Sequence, residues 1–142
     1  MAIDTIEFVD LEKTISSKRS SFRNCLAPEL GRVYVISITR DGCPVCVRQK
    51  PKIDKLAKDA LKTYNGRAVF SQIHVKYSTE RKEESLRSKD LLGHYFYPTN
   101  LILIRSRDKG VFEYYRAASP RISELARNIA NAFKIAKMLE KQ

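Results

Sequence analysis

An apolar run of strand length leads directly into two closely spaced cysteines and then into a long helical pattern. Residues 33–38 (VYVISI) are rich in β-branched and aromatic side chains, which is typical of a strand covered on both faces. Residues 41–46 (DGCPVC) follow, and from residue 44 to 64 the apolar side chains recur on one helical stripe. This order predicts a buried strand, a tight connection and an amphipathic helix that begins at the cysteines.

Strand and helix patterns alternate along the rest of the chain. We predict further strands at residues 3–9, 68–77, 100–104 and 111–116, and further helices that begin near Asp10, Ser78 or Thr79, and Ser119-Pro120. The order is β-α-β-α-β-α-β-β-α, in which strand–helix–strand units give parallel neighbours and the last two strands form a hairpin. We therefore expect an α/β protein with a mixed central sheet and helices on both faces.

Length and composition fit one globular domain over residues 1–142. Hydrophobic residues make up 43% of the chain and charged residues 30%, as in folded rather than disordered proteins. The N-terminus shows no basic segment followed by an apolar one, and no apolar run approaches the roughly 18 residues that span a bilayer. These features predict a cytoplasmic location and no membrane partner.

The chain is strongly basic, with 27 Lys and Arg against 16 Asp and Glu and a formal net charge of +11. This charge suits a solvated surface that promotes solubility, and it also suits attraction to nucleic acid or to an acidic protein. Lys50, Lys52, Lys55 and Lys58, on the predicted helix after the cysteines, favour a binding role. Lysines at this spacing commonly form a solvated helix face, so charge alone leaves both interpretations open.

Cys43 and Cys46 are spaced to meet on one face of the first helical turn, close enough to form a disulfide. Thiolate is the attacking species in disulfide exchange, so a useful cysteine needs a pKa below the ordinary value of about 8.5. The helix start favours an anion at Cys43, and Arg40, Arg48 and Lys50 lie near in sequence. Cys46 lies one turn in and is expected to be more buried. We predict Cys43 as the nucleophile and Cys46 as the resolving thiol.

Metal binding and a purely structural disulfide are the alternatives to redox chemistry. A zinc site needs about four ligands, and besides the pair the chain offers only Cys25, His74 and His94, without a second CxxC or an HxxxH motif. A disulfide between cysteines this close in sequence constrains the unfolded chain little. Redox chemistry is therefore favoured, no metal or other cofactor is expected, and the three remaining residues are interpreted as structural.

Together with two prolines downstream, the cysteine pair resembles the thioredoxin superfamily. Pro51, five residues after the second cysteine, is similar to the helix-kinking proline of thioredoxins, and Tyr97-Pro98-Thr99 precedes a strand as their cis-proline segment does. The resemblance spans residues 3–140 and implies a thioredoxin-like three-layer α/β/α sandwich. It also implies that Pro98 is cis and packs against the sulfurs, and that the backbone of Tyr97 binds a substrate peptide.

The residues around the cysteines depart from the thioredoxin pattern. Gly42 replaces the usual Trp before the first cysteine, Ser37 stands where thioredoxins carry a buried acid, and Pro44-Val45 replaces Gly-Pro. A proline directly after the nucleophile is similar to glutaredoxins, archaeal disulfide oxidoreductases and periplasmic oxidases, which differ in reduction potential. We therefore expect Gly42, Pro44 and Val45 to shape the site, and the direction of electron flow stays open.

The functional prediction is a thiol–disulfide oxidoreductase that acts on protein disulfides through Cys43 and Cys46. Its partners would be those protein substrates and a reductase or oxidase that restores the pair. The alternative is a non-catalytic thioredoxin-like binding module that holds nucleic acid or an acidic protein on its basic surface.

Overall fold

The computed structural model describes residues 3–141. In chain order the elements are β1 (Ile3–Glu7), α1 (Phe8–Lys18), α2 (Phe22–Leu26), β2 (Val33–Arg40), α3 (Pro44–Thr63), β3 (Ala68–Val75), α4 (Glu83–Leu92), β4 (Thr99–Arg105), β5 (Val111–Ala118) and α5 (Ile122–Glu140). The predicted order is confirmed with one addition, because the first helical region is divided into α1 and the short α2. Within the described residues, no helix has the length and apolar character that crossing a membrane requires.

The five strands form one mixed sheet, as the sequence predicted, and their order in the sheet is β1-β3-β2-β4-β5. β1 and β2 both run parallel to β3, whereas β4 runs antiparallel to β2 and to β5. Because β4 is antiparallel to the central strand, its first residue, Thr99, pairs with Ile38 near the carboxyl end of β2. This register brings the segment before β4 to the same edge of the sheet as the start of α3.

Both faces of the sheet are covered by helices. Successive side chains of β2 point to opposite faces, so this strand contributes to the core on each side. Tyr34, Ile36 and Ile38 pack in one core cluster with residues of α1, α2 and α4. Val33 and Val35 pack in a second cluster with residues of α3 and α5. The three-layer arrangement expected from the sequence is confirmed.

The first helix begins and ends earlier than its apolar pattern indicates. Phe8 and Val9, predicted to end the strand, instead form the first turn of α1. Phe8 is fully buried and packs in the core cluster that contains Leu11. Asp10 is therefore not the N-cap but lies inside the first turn, where its charge still favours the helix. The helix ends where Arg19 adopts a left-handed backbone with φ of 48°, and Ser21 then caps α2.

Two other predicted helix starts are also wrong by a few residues. Ser78 is held in a turn with Arg81, so α4 begins only at Glu83 and neither Ser78 nor Thr79 caps it. Ser119 is left-handed, with φ of 46°, and α5 begins three residues later. Ser78 makes its hydrogen bonds within its loop, whereas the backbone N–H of Ser119 donates to the carbonyl of Pro98, in the segment before β4. A short polar pattern does not distinguish such serines from helix caps.

Candidate active site

Cys43 and Cys46 occupy the junction between β2 and α3. Cys43 is the N-cap of α3 with an extended backbone, and Pro44 takes the first helical position, where no amide hydrogen is needed. The two cysteines are joined in a disulfide with their Cα atoms 5.2 Å apart. Cys43 Sγ accepts the N–H of Cys46 at 3.1 Å. The helix start thus presents one of its free amides to the first sulfur, as expected.

The relative burial of the two cysteines differs from the prediction. Cys43 is 5% exposed and Cys46 is 8% exposed, so Cys46 is not the more buried of the two. The cause is the segment before β4, which covers Cys43 and brings the carbonyl oxygen of Tyr97 to 3.7 Å from its sulfur.

That covering segment is the Tyr97–Pro98 peptide, which is cis in the structure. Pro98 is buried, and the Tyr97 hydroxyl lies 2.8 Å from Ser85 Oγ on α4. The buried ring of His94 lies edge-on to the Tyr97 ring, with 4.8 Å between their centroids. Its Nδ1 bonds to the Phe96 carbonyl, so Nε2 accepts from the Ser88 hydroxyl. Burial lowers the pKa of His94 to about 4, and a neutral ring therefore supports the segment.

The loop before Cys43 is held by Arg40. Gly42 has φ of 65°, a left-handed conformation that glycine adopts without steric cost. The Arg40 guanidinium donates to the carbonyl oxygens of Asp41, at 2.7 Å, and Gly42, at 3.4 Å. It also lies over the rings of Tyr77 and Tyr97, 4.1 and 5.6 Å from their centroids. A fixed positive charge therefore adjoins the backbone that leads into the first cysteine.

Beside Cys46 the core holds a chain of neutral polar side chains. Ser37 Oγ donates to Asn100 Oδ1 at 2.5 Å, and Asn100 Nδ2 donates to Gln49 Oε1 at 2.9 Å. All three residues are buried, and Ser37, Gln49 and Cys46 line one small cavity. Gln49 and Asn100 were missed in the sequence, although an amide inside an apolar strand and a glutamine one turn after Cys46 were visible signals. The position of the thioredoxin acid is thus part of an uncharged network.

His74, on β3, contacts both Glu7 on β1 and Asp41 in the loop before Cys43. Its Nδ1 lies 2.9 Å from Glu7 Oε1, and its Nε2 lies 2.7 Å from Asp41 Oδ1. Asp41 Oδ2 also accepts the backbone N–H of Tyr77. The hydrogen bond from His74 is the main cause that lowers the pKa of Asp41. The sequence indicated only a structural role for His74, because nothing local shows that two carboxylates flank it.

The other chemically interesting residues do not join this site. Cys25 lies on α2, partly buried against the core cluster of α1 and α4. In residues 3–141, no three side chains of the His, Cys, Asp and Glu types are grouped so that they could hold a metal ion. Of the predicted cations, only Arg40 contacts the loop before Cys43, while Lys50 pairs with Asp54 along α3.

Comparison with known proteins gives a fold match. No family model matches the chain, and no curated protein matches it in sequence. Among solved structures, spinach chloroplast thioredoxin f in its short form is 18% identical with a TM-score of 0.59, covering 92% of each chain. The Trx4 domain of ERdj5 is 14% identical with a TM-score of 0.63, covering 95% of this chain and 98% of that domain. A chain from the complex of ferredoxin:thioredoxin reductase with thioredoxin f2 is 15% identical with a TM-score of 0.57, covering 92% of this chain and 94% of that one.

The protein therefore has the thioredoxin fold. At the start of α3 it carries a CxxC cysteine pair at disulfide distance, an arrangement suited to thiol–disulfide redox chemistry.

Proposed function

We propose that this protein is a thiol–disulfide oxidoreductase that acts on protein disulfides. The observation that carries the proposal is the position of Cys43, which caps α3 beside the carbonyl of Tyr97, with Cys46 one turn away. An amide at 3.1 Å and the positive end of the helix stabilise a thiolate at Cys43 once the pair is reduced. The guanidinium of Arg40 adds a further positive charge near the loop.

The reaction proceeds by two exchange steps. The Cys43 thiolate attacks one sulfur of the client disulfide, a mixed disulfide forms, and the second client sulfur leaves as a thiolate that takes up a proton. Cys46, after losing its proton, attacks Cys43 Sγ and releases the first client sulfur as a thiolate. The client disulfide is then reduced to two thiols, and the Cys43–Cys46 pair is oxidised to the disulfide.

We further propose roles for the residues around the pair, which the contact between the Tyr97 carbonyl and Cys43 Sγ supports. Tyr97 and Pro98 bind the client backbone next to Cys43, and Gly42, Pro44 and Val45 shape the entrance. Turnover needs a protein partner that reduces the pair again, or an oxidase if electrons flow in the reverse direction. We further propose that the protein acts in the cytoplasm. No bound cofactor is required, because electrons pass between sulfur atoms.

A trapping experiment tests the proposal. With dithiothreitol, the native protein should reduce a model disulfide-bonded protein faster than the Cys43→Ser/Cys46→Ser double variant. The Cys46→Ser variant should accumulate mixed disulfides with client proteins in a lysate, whereas its matched control, Cys43→Ser, should not. The catalytic proposal fails if native protein adds no rate and Cys46→Ser traps nothing.

The direction of electron flow is set by the reduction potential of the pair. Equilibration with glutathione buffers measures it, and a value near about −270 mV supports a reductase while one near about −120 mV supports an oxidase. The buried neutral network at Ser37 bears on this value, because no carboxylate at that position opposes a thiolate at Cys46.

The second candidate function, a binding module, rests on the exposed lysines of α3. Lys52, Lys55 and Lys58 are exposed, while Lys50 is paired with Asp54, so the row is shorter than the sequence indicated. A DNA- or RNA-binding constant that falls steeply with salt, in a protein without disulfide reductase activity, would favour this module.

A further inference from the structure

A groove of about 160 Å³ opens beside the start of α3, the helix that begins at the cysteine pair. The N-terminal turns of α3 form one wall, which is lined by Val45, Arg48 and Lys52. The other wall is the segment of residues 119–122, which connects β5 to α5. The groove therefore lies between two parts of the chain that also border the redox site.

Each wall of the groove is connected to the redox site, one through the chain and the other through a hydrogen bond. Val45 stands between the two cysteines and is 36% exposed. On the opposite wall, the backbone N–H of Ser119 donates to the carbonyl of Pro98 at 3.1 Å. A polypeptide whose sulfur reaches Cys43 would pass this opening within a few residues, since an extended chain advances about 3.3 Å per residue.

The charge of the groove is uncompensated. Arg48, Lys52 and Arg121 line it and are exposed, and no carboxylate of the described residues lines it. None of the three side chains takes part in an ion pair or a side-chain hydrogen bond with any residue from 3 to 141. Lys50, the next cation on the helix, is by contrast paired with Asp54. Three free cations around one small depression attract negative charge.

We propose that this groove binds an acidic segment that flanks the reacting cysteine of the client protein. The inference rests on the proposed function and names the class of client that the site prefers. Val45, Pro120 and Ile122 give the groove apolar surface for peptide side chains, and the cations meet their carboxylates. Within residues 3–141 no aromatic ring lines the groove, so this part of the chain offers no stacking surface of the kind that holds single-stranded nucleic acid.

The proposal is tested with two synthetic peptides that share one intramolecular disulfide. In the first peptide the residues flanking one cysteine are Asp and Glu, and in the second they are Asn and Gln. The protein should reduce the acidic peptide with at least about fivefold higher kcat/KM at low salt, since several exposed ion pairs contribute together. The ratio should fall as salt rises, because exposed pairs are screened.

Variants with matched charge locate the effect. In Arg48→Gln/Lys52→Gln/Arg121→Gln the ratio of the two rates should approach one. Lys13→Gln/Lys76→Gln/Arg81→Gln loses the same net charge at exposed positions away from the groove and should keep the preference. Loss of the preference in both variants would assign it to net charge and overturn the groove proposal.

Other outcomes separate this inference from the function beneath it. If native protein reduces both peptides at equal rates, the acidic preference is wrong while the redox function stands. If it reduces neither peptide, the proposed function fails, and the inference fails with it. If the groove variant loses binding to a single-stranded oligonucleotide while native protein shows no peptide preference, the groove is a nucleic-acid contact and the proposal is overturned.

Discussion

His74 Nε2 lies 2.7 Å from Asp41 Oδ1, so β3 holds the loop two residues before the first cysteine. The other ring nitrogen faces Glu7 Oε1 at 2.9 Å. A neutral imidazole has only one N–H, and two carboxylates can both accept only from the protonated ring. Burial opposes the charge, but the hydrogen bonds that the ring donates to Glu7 and Asp41 outweigh it and raise the pKa of His74.

This bridge predicts a stability contribution that weakens as pH rises. Because the folded-state pKa of His74 lies above its unfolded value of about 6.5, the contribution is complete below that pH and is lost as pH passes the folded pKa. We expect His74→Gln to cost about 1 kcal/mol of unfolding free energy at pH 6 and less at pH 9. Urea unfolding of both proteins across this range measures the difference, and a constant difference would contradict the bridge.

His94 predicts the opposite pH dependence. Its pKa of about 4 lies below the unfolded value, so the folded state binds fewer protons and loses stability as pH falls from about 6.5 to 4. The loss from this residue should approach about 3 kcal/mol, since each pKa unit corresponds to about 1.4 kcal/mol. In His94→Gln this part of the acid destabilisation should vanish. Unfolding curves of the two proteins that stay parallel between pH 7 and 4 would count against a buried neutral ring.

The Ser37–Asn100–Gln49 network predicts a non-additive pair of substitutions. Asn100→Leu should cost about 2–4 kcal/mol, because it leaves the buried groups of Ser37 and Gln49 without partners. Adding Ser37→Ala to that variant should cost less than Ser37→Ala alone, since the hydroxyl it removes is already unsatisfied. Urea denaturation of the native protein, both single variants and the double variant gives the coupling energy. Simple additivity would show that the network does not act as a unit.

The end of α1 predicts a stabilising substitution far from the cysteines. Arg19 is exposed and holds a left-handed backbone, which costs a non-glycine residue about 1 kcal/mol. Arg19→Gly should therefore raise the unfolding free energy by roughly 0.5–1 kcal/mol. The control is Lys18→Gly, inside the last helical turn, which should lower it by a similar amount. Equal effects of the two changes on chemical denaturation would disprove the cap assignment.

Much of the fold was predictable because its signals are local. The β-branched run of residues 33–38, the helical stripe after residue 44 and the hairpin before α5 each depend on neighbours in the chain. The ends of helices were less predictable. Ser78 and Ser119 are common cap residues by type, but their hydrogen bonds go to loop partners that the helical pattern does not reveal.

By itself the sequence determined that two cysteines meet at the start of a helix after a buried strand, since three residues of helical spacing are enough for that. Only the tertiary structure decided what surrounds them. Asn100 is 63 residues from Ser37, and His74 is 33 residues from Asp41. These contacts depend on strand order and register, which the burial of the whole core selects and no local pattern contains.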